Sequence, residues 1–304
     1  VQSYFGLRSI AMEDGKFLFN GRSVFQRLVL DQGFYPDGIY TAPTEQDLID
    51  DIQRSLDMGF NGARLHQKVF EPRFLYHCDR LGYIVWGEHA NWGLDISRPE
   101  AWRGFMPEWQ EILERDFNHP AIIGWCPLNE TQTNQNRDFV RELANMTRSY
   151  DPDRMYIDAS GWTHQDDITD ILDIHDYEQD PAVFREHYLP LEKGEPVVFN
   201  RYKQGGLPTF MSEFGGIWWN PKDLENGWGY GGVTSRPKSE EEFIERYRGL
   251  VTAMLENKAM CAFCYTQLTD VEQEVNGLYT YDRKAKFPPE IIKAINTQKA
   301  AIEE

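Results

Sequence analysis

Two glutamates follow short apolar runs at places where they could do chemistry together. Glu130 comes just after the run at 121–126, and Glu213 comes just after the run at 207–211. Both runs predict buried strands, so each glutamate is expected at a strand end. Two such carboxylates are the minimum equipment for cleaving a glycosidic bond, because one protonates the leaving oxygen and the other attacks the sugar carbon or activates water. Either glutamate alone would be an ordinary member of 49 acidic residues, but the pair indicates glycoside hydrolysis.

The elements that must position this pair alternate along the chain. Residues 1–23 predict a linker and a short β-hairpin, and residues 24–304 predict one catalytic domain. Within that domain eight predicted strands are mostly followed by helices, including 44–58 capped by Thr44, 99–117 broken near Pro107, and 137–150. Eight such units in about 300 residues favour a (β/α)8 TIM barrel. An open doubly wound sheet is the alternative, but no G-x-G-x-x-G follows the first strand.

Two smaller expectations concern the end of the chain. Ser239 and Glu242 predict a capping box at the start of a helix over 239–255. The last helix is expected over 291–302.

In a barrel, reactive groups lie at the carboxyl ends of the strands. Reading those ends gives a set of hydroxyl-binding side chains around the two glutamates. They are Asp31, Gln32, Arg64, His66, Glu88, His89, Asn91, Trp92, Asn129, Ser160, Trp162, His175, Asp176, Tyr177, Gln267 and Asp270.

A long aromatic-rich segment over 215–238 is expected to rim the same pocket, because long loops in compact domains are usually functional. Its Trp218, Trp219 and Trp228 could stack on the apolar face of a sugar, or could equally fill the core. His66 and His175 could likewise be pocket residues or satisfied core residues.

Composition excludes several classes of function. The net charge of −18 repels phosphate backbones and anionic membrane surfaces, so we expect neither a nucleic acid nor a membrane as partner. No apolar stretch reaches about 18 residues, so no membrane span is predicted. The four cysteines, Cys78, Cys126, Cys261 and Cys264, are read as buried thiols. We expect a soluble protein of the bacterial cytoplasm or periplasm, with the compartment and oligomeric state left open.

The sequence resembles the catalytic barrel of family 2 glycoside hydrolases, which include β-galactosidases, β-glucuronidases and β-mannosidases. Nearly the whole chain takes part in this resemblance. The matching stretches are 59–66, 78–82 with 86–88, 119–125 through Asn129 and Glu130, 212–215, and 276–284. The chain begins as if it follows an earlier domain, and we expect the β-sandwich domains that usually precede the barrel in this family to lie outside it.

The resemblance implies roles for the two glutamates. Glu130 would be the general acid/base, Glu213 the nucleophile, and the anomeric configuration would be retained. Tyr177 would be a partner of Glu213, since the family places a tyrosine on the sixth strand. Arg64 would orient Glu213, or else form a structural ion pair, and Asn129 would hold the sugar 2-hydroxyl.

Cofactor and substrate follow from the same resemblance. No cofactor is expected, although Glu88 could bind a sugar hydroxyl or a metal, since Mg²⁺ assists some β-galactosidases of the family. The stretch 274–276 lacks the lysine that grips uronates in the β-glucuronidases, and Asp270, Glu272 and Glu274 add negative charge there. Family β-galactosidases often carry Ser-His-Tyr-Pro where this chain has 65–68, which places galactose itself in question.

The sequence therefore predicts a retaining exo-β-glycosidase that acts on a carbohydrate substrate, with β-galactosides as the first choice. Endo action stays open. Other family 2 specificities (β-mannosidase, arabinosidase or β-glucuronidase) are the nearest alternatives. A non-catalytic carbohydrate-binding barrel is the alternative from another class. A metal-dependent barrel hydrolase would require a His-x-His after the first strand, where the chain has Asp31 and Gln32.

Overall fold

The computed structural model describes residues 3–132, 134–165, 167–199, 202–204, 207–220 and 226–303. The chain starts with a small antiparallel sheet of three strands, β1 (Ile10–Glu13), β2 (Lys16–Phe19) and β3 (Arg22–Ser23). Asp14 and Gly15 both have positive φ, as do Asn20 and Gly21. Two successive positive φ values define the type I′ turn, whose twist matches that of antiparallel strands.

Eight parallel strands follow and form the barrel, in the order β8-β7-β6-β5-β4-β13-β12-β9. This confirms the predicted TIM barrel. A separate antiparallel hairpin is formed by β10 and β11. The strands are β4 (Gln26–Asp31), β5 (Gly62–Leu65), β6 (Ile84–Glu88), β7 (Ile122–Cys126), β8 (Met155–Tyr156), β9 (Leu172–Asp176), β10 (Val197–Phe199), β11 (Tyr202–Gln204), β12 (Thr209–Gly215) and β13 (Met260–Thr266).

Helices connect most of the strands and cover the outside of the sheet. They are α1 (Glu45–Asp57), α2 (Pro72–Leu81), α3 (Pro99–Asp116), α4 (Arg137–Tyr150), α5 (Pro181–Glu192), α6 (Glu240–Glu256) and α7 (Pro289–Asn296). Thr44 caps α1 as predicted: its side chain accepts from the Asp47 amide, and the Asp47 carboxylate accepts from the Thr44 amide. The two orphan donors at this helix start are therefore satisfied.

Some helix predictions differ from the structure. Helix α3 continues through Pro107, and α7 ends at Asn296 instead of reaching residue 302. Ser239 caps α6 by accepting from the Glu242 amide, but the Glu242 carboxylate accepts from the Lys238 amide, so the capping box is incomplete.

Polar contacts join β8 to β9, the two ends of the sheet order. The Asp170 amide donates to the Tyr156 carbonyl at 2.9 Å, and the Ser160 hydroxyl donates to the Asp173 carboxylate at 3.0 Å. His164 bridges the same gap, with Nδ1 2.7 Å from Asp158 Oδ1 and Nε2 2.8 Å from the Asp173 carbonyl. We call Asp158, Ser160, His164 and Asp173 the seam. It closes the barrel where β8, only two residues long, offers little backbone to pair.

The barrel interior is packed by large rings that need neighbouring glycines. A Cβ on Gly124 would lie 2.3 Å from the Trp86 ring, and one on Gly87 would lie 2.7 Å from the Trp125 ring. Glycine therefore makes room for tryptophan on adjacent strands. All four cysteines are buried free thiols, as predicted. None of the helices in the described ranges is long and apolar enough to cross a membrane.

Candidate active site

Glu213 lies in β12 at the mouth of the barrel, and both of its carboxylate oxygens are engaged. Arg64 Nη1 donates to Oε1 at 2.9 Å, and the Tyr177 hydroxyl donates to Oε2. The side chain is only 5% exposed. Burial alone would raise the pKa of Glu213, but His175, Arg64, His66 and the Tyr177 hydrogen bond outweigh burial and lower that pKa to about 2. Glu213 is therefore a buried, ionised carboxylate, the state that a nucleophile requires.

Arg64 is the centre of the site, projecting inward from β5. Its Nε donates to Glu88 on β6, its Nη1 to Glu213, and its Nη2 to Asn129 Oδ1 at 2.6 Å. Burial opposes the ionisation of Glu88, but Arg64 and His66 keep the pKa of this carboxyl below its usual value. Arg64 thus orients Glu213 within a buried ion network. Glu88 is held by that network, so its role here is to pair with Arg64.

Glu130 lies four residues beyond the end of β7, in a short segment held by the backbone of Ser160. The Glu130 amide donates to the Ser160 carbonyl at 2.8 Å, and the Ser160 amide donates to the Leu128 carbonyl at 2.8 Å. Asn91 clamps the preceding residue by accepting from the Asn129 amide and donating to the Asn129 carbonyl. Glu130 adopts φ = 51°, a left-handed conformation that is unfavourable for residues with a Cβ.

The two glutamates converge around His175. His175 Nδ1 lies 2.8 Å from Glu130 Oε1, and its Nε2 lies 3.5 Å from Glu213 Oε1. One ligand atom from each of these three residues lies within 4.8 Å of the other two. Carboxyl groups about 5 Å apart fit retention, because inversion needs a separation of roughly 6.5–9.5 Å to admit water.

Asn129 offers a free donor beside this pair. Arg64 can only donate, so it fixes the amide with Oδ1 toward Arg64 and Nδ2 away from it. The Nδ2 atom is buried and has no hydrogen-bond partner among the described residues. An amide N–H left without a partner is costly unless a ligand supplies one. Asn129 Nδ2 could therefore donate to a sugar hydroxyl, which is the role that the resemblance implies for Asn129.

Several other predicted site residues lie apart from the glutamate pair. Asp31 pairs in register with Leu65, the neighbour of the inward-pointing Arg64, so it faces the opposite side of the sheet. There it accepts from the Gly33 amide, and burial together with nearby Asp51 raises the pKa of Asp31 to about 6. Asp270 lies beyond β13, where it binds Lys286 Nζ at 2.7 Å. These two carboxylates therefore form contacts with Gly33 and Lys286, apart from the glutamate pair.

The remaining polar candidates fall into two groups. Gln267 takes part in an amide network with Gln32, Asn276 and Glu274, in which Gln32 Nε2 donates to both Gln267 and Glu274. Burial raises the pKa of the half-buried Glu274 carboxyl. By contrast, His89 and Asp176 turn outward, His89 to Glu108 on α3 and Asp176 to Tyr188 on α5.

The tryptophans are distributed differently from the expectation. Trp218 and Trp219 are 7% and 6% exposed, and Trp219 packs against Phe243 of α6, so neither is an open sugar platform. Trp162 is partly exposed in the loop after β8. The open rings are Trp92, 62% exposed and edge-on to His66, and Trp228, 42% exposed and packed on Tyr230. Tyr230 in turn stacks on Tyr177 with ring centroids 3.3 Å apart.

One contributor had no predicted role. Gln67 accepts from the Asn91 and Trp92 amides through Oε1 and donates to Asn91 Oδ1 through Nε2. It thereby fixes the loop that holds Asn129 and Trp92. Its position directly after His66 was the available signal, but a glutamine there predicts no partner by itself.

A closed eight-stranded barrel with two convergent glutamates at its mouth defines the class: a TIM barrel equipped with the carboxylate pair of a glycoside-cleaving site. Residues 10–286 match the glycosyl hydrolases family 2 TIM barrel domain. The chain therefore belongs to glycosyl hydrolase family 2.

Relatives of this chain include proteins named β-galactosidase and proteins named putative β-glucuronidase. A β-galactosidase of Alteromonas mediterranea is 31% identical over 156 residues, which is 49% of this chain and 15% of the relative. A putative β-glucuronidase of Formosa agariphila is 26% identical over 263 residues, which is 81% of this chain and 30% of the relative. The chain thus spans less than a third of the length of these curated relatives.

Solved structures share the fold at low sequence identity. A family 2 β-galacturonidase from Eisenbergiella tayi bound to glycerol superposes with a TM-score of 0.79 at 20% identity, covering 99% of this chain and 55% of that one. A β-glucuronidase from Ruminococcus gnavus in complex with D-glucuronic acid gives a TM-score of 0.78 at 17% identity, with coverage of 96% and 53%.

Proposed function

We propose that this barrel is the catalytic domain of a retaining exo-β-glycosidase that removes terminal β-linked sugars by double displacement. The observation that carries the proposal is the pairing of a buried, ionised Glu213 with a more open Glu130, with one carboxylate oxygen of each within 4.8 Å of the other. That separation leaves room for a covalent route and too little for an inverting water.

The reaction divides into two steps. In the first, Glu213 attacks the anomeric carbon, the glycosidic C–O bond breaks, and Glu130 gives its proton to the leaving oxygen. In the second, Glu130 takes a proton from water, the water attacks the same carbon, and the bond to Glu213 breaks. Asn129 Nδ2 donates to the sugar hydroxyl next to the reacting carbon, a contact that strengthens as positive charge develops on the ring.

The charges around the pocket support a neutral sugar over a uronate. Arg64 is already engaged by Glu88 and Glu213, so it is not free to pair with a substrate carboxylate. Glu274 places a further carboxylate beside Gln32 and Gln267 at the mouth. The relatives named β-glucuronidase support a uronate. Among neutral sugars, the relatives named β-galactosidase favour a β-galactoside.

The test is hydrolysis of a panel of nitrophenyl β-D-glycosides by the protein and by Glu213→Gln. We expect the galactoside to be cleaved at least about tenfold faster than the glucuronide. We expect the amide variant to lose about a thousandfold or more of kcat, because an amide cannot form the covalent intermediate. A 2-deoxy-2-fluoro galactoside should add one sugar mass to Glu213 in a digested protein.

Glu195→Gln, at an exposed loop glutamate, is the matched control and should leave every rate unchanged. Activity of Glu213→Gln within tenfold of the unsubstituted protein would show that Glu213 is not the nucleophile. A faster glucuronide would overturn the galactoside assignment alone. No adduct and no hydrolysis of any sugar would favour a non-catalytic carbohydrate-binding barrel.

A further inference from the structure

The ring of His175 lies between the two glutamates, and each of its nitrogen atoms has a polar neighbour. His175 on β9 pairs in register with Glu213 on β12, so the two side chains project to the same side of the sheet. Its Nδ1 lies 2.8 Å from Glu130 Oε1, and its Nε2 lies 2.8 Å from Ser160 Oγ. The two reaction steps proposed above use both glutamates but give this buried ring no task.

The ring is held in a fixed place. His175 is buried, and Gly161 packs directly against it. A Cβ at Gly161 would lie 2.4 Å from His175 Nδ1, and Gly161 adopts φ = 100°, so the position requires glycine. A ring packed this tightly stays in place while the charges around it change, which is the preorganisation that electrostatic stabilisation requires.

Ser160 and Asp173 determine that Nε2 of the ring carries a hydrogen. The Ser160 hydroxyl has one hydrogen, which it donates to the buried Asp173 carboxylate at 3.0 Å. A hydrogen bond to a carboxylate is stronger than one between neutral groups, so this donation is preferred. The Ser160 oxygen is then left to accept, and His175 Nε2 is the nitrogen that faces it.

The charges around the ring favour a cation. Arg64 opposes a positive ring, with Nη1 3.1 Å from His175 Nε2, but it directs its own hydrogens to Glu213 Oε1 and to a backbone carbonyl. Opposite charges within a few ångströms favour the charged form of a group, and carboxyl groups surround this ring. The charged and titratable groups nearest to it are Glu130, Glu213, Asp173 behind the serine, Arg64 and, beyond Glu213, His66.

A hydrogen also lies between His175 Nδ1 and Glu130 Oε1. Two lone pairs would repel each other at 2.8 Å, so either the ring or the carboxyl group donates. Because Oε1 is taken, the other oxygen of Glu130 is the one left to face a substrate. When that oxygen carries the proton for the leaving group, Oε1 has none, and the ring is the donor. Both ring nitrogens then carry a hydrogen in the reactive state.

We infer that His175 is a positioning residue, an imidazolium fixed between the two glutamates while negative charge passes from Glu213 to Glu130 and back. Its Nδ1–H holds Glu130 Oε1, which keeps Oε2 turned toward the substrate. Ser160 and Asp173 hold the opposite side of the ring. The inference rests on the proposed function, because it uses Glu213 as the nucleophile and Glu130 as the acid.

The movement of charge explains why a cation belongs there. In the first step Glu213 loses its negative charge as it bonds to the sugar carbon, and Glu130 gains one as Oε2 gives its proton to the leaving oxygen. In the second step Oε2 takes a proton from the attacking water, and Glu213 regains its charge as its bond to carbon breaks. The ring keeps both of its hydrogens throughout. It lies 2.8 Å from one carboxylate and 3.5 Å from the other, so it stabilises the charge in both places without moving.

The charge of the ring can be measured directly by nuclear magnetic resonance. In protein made with ¹⁵N-labelled histidine, the two nitrogen resonances of an imidazolium lie close together, whereas those of a neutral ring lie far apart. The spectrum of His175→Gln identifies the signals of His175. At the pH of maximal kcat/KM we expect a hydrogen on both nitrogens of this ring. A neutral His175 ring at that pH would overturn the inference.

The dependence of the rate on the leaving group tests the effect on the acid. His175→Gln removes the charge and the contact with Glu130, so kcat/KM for the phenyl glycoside of the preferred sugar should fall about a hundredfold. For the 2,4-dinitrophenyl glycoside, which leaves without a proton, the fall should stay below about tenfold. His175→Asn should recover part of the loss, because its shorter amide can place a donor near Glu130 Oε1. Ser160→Ala should change the two substrates in the same sense as His175→Gln, but less.

His77→Gln is the matched control for these variants. His77 on α2 is also a buried histidine that contacts a glutamate at 2.8 Å, Glu45 on α1, but outside the site. Its rates on both substrates should equal those of the unsubstituted protein. Equal losses on the two substrates in His175→Gln would mean that the ring does not act through Glu130. If His175→Gln fails to fold, Ser160→Ala and the ring resonances decide the question.

Failure of this inference can be told apart from failure of the proposed function. If a 2-deoxy-2-fluoro glycoside labels Glu213 but the His175 ring is neutral, or His175→Gln slows both substrates equally, the role of His175 alone is wrong. If no adduct forms and no sugar is hydrolysed, the glycosidase proposal fails, and the role of His175 fails with it.

Discussion

A single buried carboxylate, Glu213, is kept charged by its neighbours against the cost of its own burial. Arg64 holds one oxygen and Tyr177 the other. With its pKa lowered to about 2, Glu213 is ionised over the whole range in which an ordinary glutamate begins to protonate. The same depression stabilises the fold: this contribution is present above the unfolded pKa near 4.5 and is lost as the pH falls toward 2.

Removing the Tyr177 hydroxyl should bring the titration of Glu213 into a measurable pH range. A hydrogen bond to a charged group is worth about 1.5–3 kcal/mol, so Tyr177→Phe should raise the pKa of Glu213 by about one to two units. The rate of inactivation by a 2-deoxy-2-fluoro galactosyl fluoride reports the ionised fraction, because fluoride departs with little acid assistance. In the variant this rate should fall between about pH 5 and pH 3, where the unsubstituted protein stays level.

Tyr188→Phe provides the matched control for this measurement. It also removes a buried tyrosine hydroxyl from a carboxylate, Asp176, at 2.7 Å, but outside the site. Its inactivation profile should follow that of the unsubstituted protein. Superimposable profiles for all three proteins would mean that the Tyr177 hydrogen bond does not hold Glu213 in its charged form.

At the scale of elements, the two glutamates are positioned in different ways. Glu213 lies within a seven-residue strand, whereas Glu130 lies past the end of β7 and depends on contacts from Ser160. Its φ of 51° is a conformation that costs a residue with a Cβ about 1–2 kcal/mol. The segment thus contains a local strain that places the Glu130 carboxyl close to that of Glu213.

This strain predicts an unusual order of stabilities. Glycine adopts positive φ without penalty, so Glu130→Gly should be more stable than Glu130→Ala by about 1 kcal/mol in urea unfolding. Both variants lose the contact with His175, so that loss cancels. Glu195 is an exposed loop residue that is not among the described residues with positive φ. There the order of stabilities should reverse, and Glu195→Ala should be more stable than Glu195→Gly. The same order at both positions would show that the backbone at Glu130 is unstrained.

Elements with strong local signals could be predicted from the sequence, and those set by tertiary contacts could not. Helix α4 runs over the predicted 137–150, since Asn136 caps it and Asp151 ends it. Helix α5 was not predicted. It contains two prolines within twelve residues, of which Pro181 occupies a helix start, where proline is tolerated. Pro107 likewise fails to end α3, where burial of Phe105 and Trp109 on either side favours continuation.

The same limit applies to the site. Strand ends identify which edge of the barrel a residue occupies but not which face it presents. Arg64, the last residue but one of β5, points inward, whereas Asp31, the last residue of β4, points outward. A loop position also fails to guarantee exposure, since Trp219 enters the core against Phe243. The meeting of the two glutamates could be expected from their residue type and their places near the ends of two strands, whereas their catalytic roles stay a prediction.

At the scale of the whole molecule, the barrel is closed by side chains where its shortest strand leaves a gap. The buried His164 ring joins Asp158, after β8, to Asp173, in β9. Burial alone would lower the pKa of His164, but Asp158 and the Asp173 carbonyl outweigh it and raise that pKa to about 9. The protonated ring is therefore part of the closed structure at neutral pH, in a seam that also holds the Glu130 backbone through Ser160.

The contribution of the seam to the free energy of unfolding should consequently decrease in alkaline solution. A group whose pKa is raised in the folded state contributes its full stability below its unfolded pKa near 6.5, and loses it as the pH rises through 9. The loss should be on the order of 3 kcal/mol, measured as the free energy of unfolding in urea from pH 6 to pH 10. His164→Gln can keep a neutral bridge but has no proton to lose, so its stability should be lower at pH 6 and nearly level above it. Parallel curves for the two proteins would mean that His164 carries no charge in the seam. If the free energies of unfolding of the two proteins converge near pH 9, deprotonation of His164 is the event that destabilises the barrel in alkaline solution.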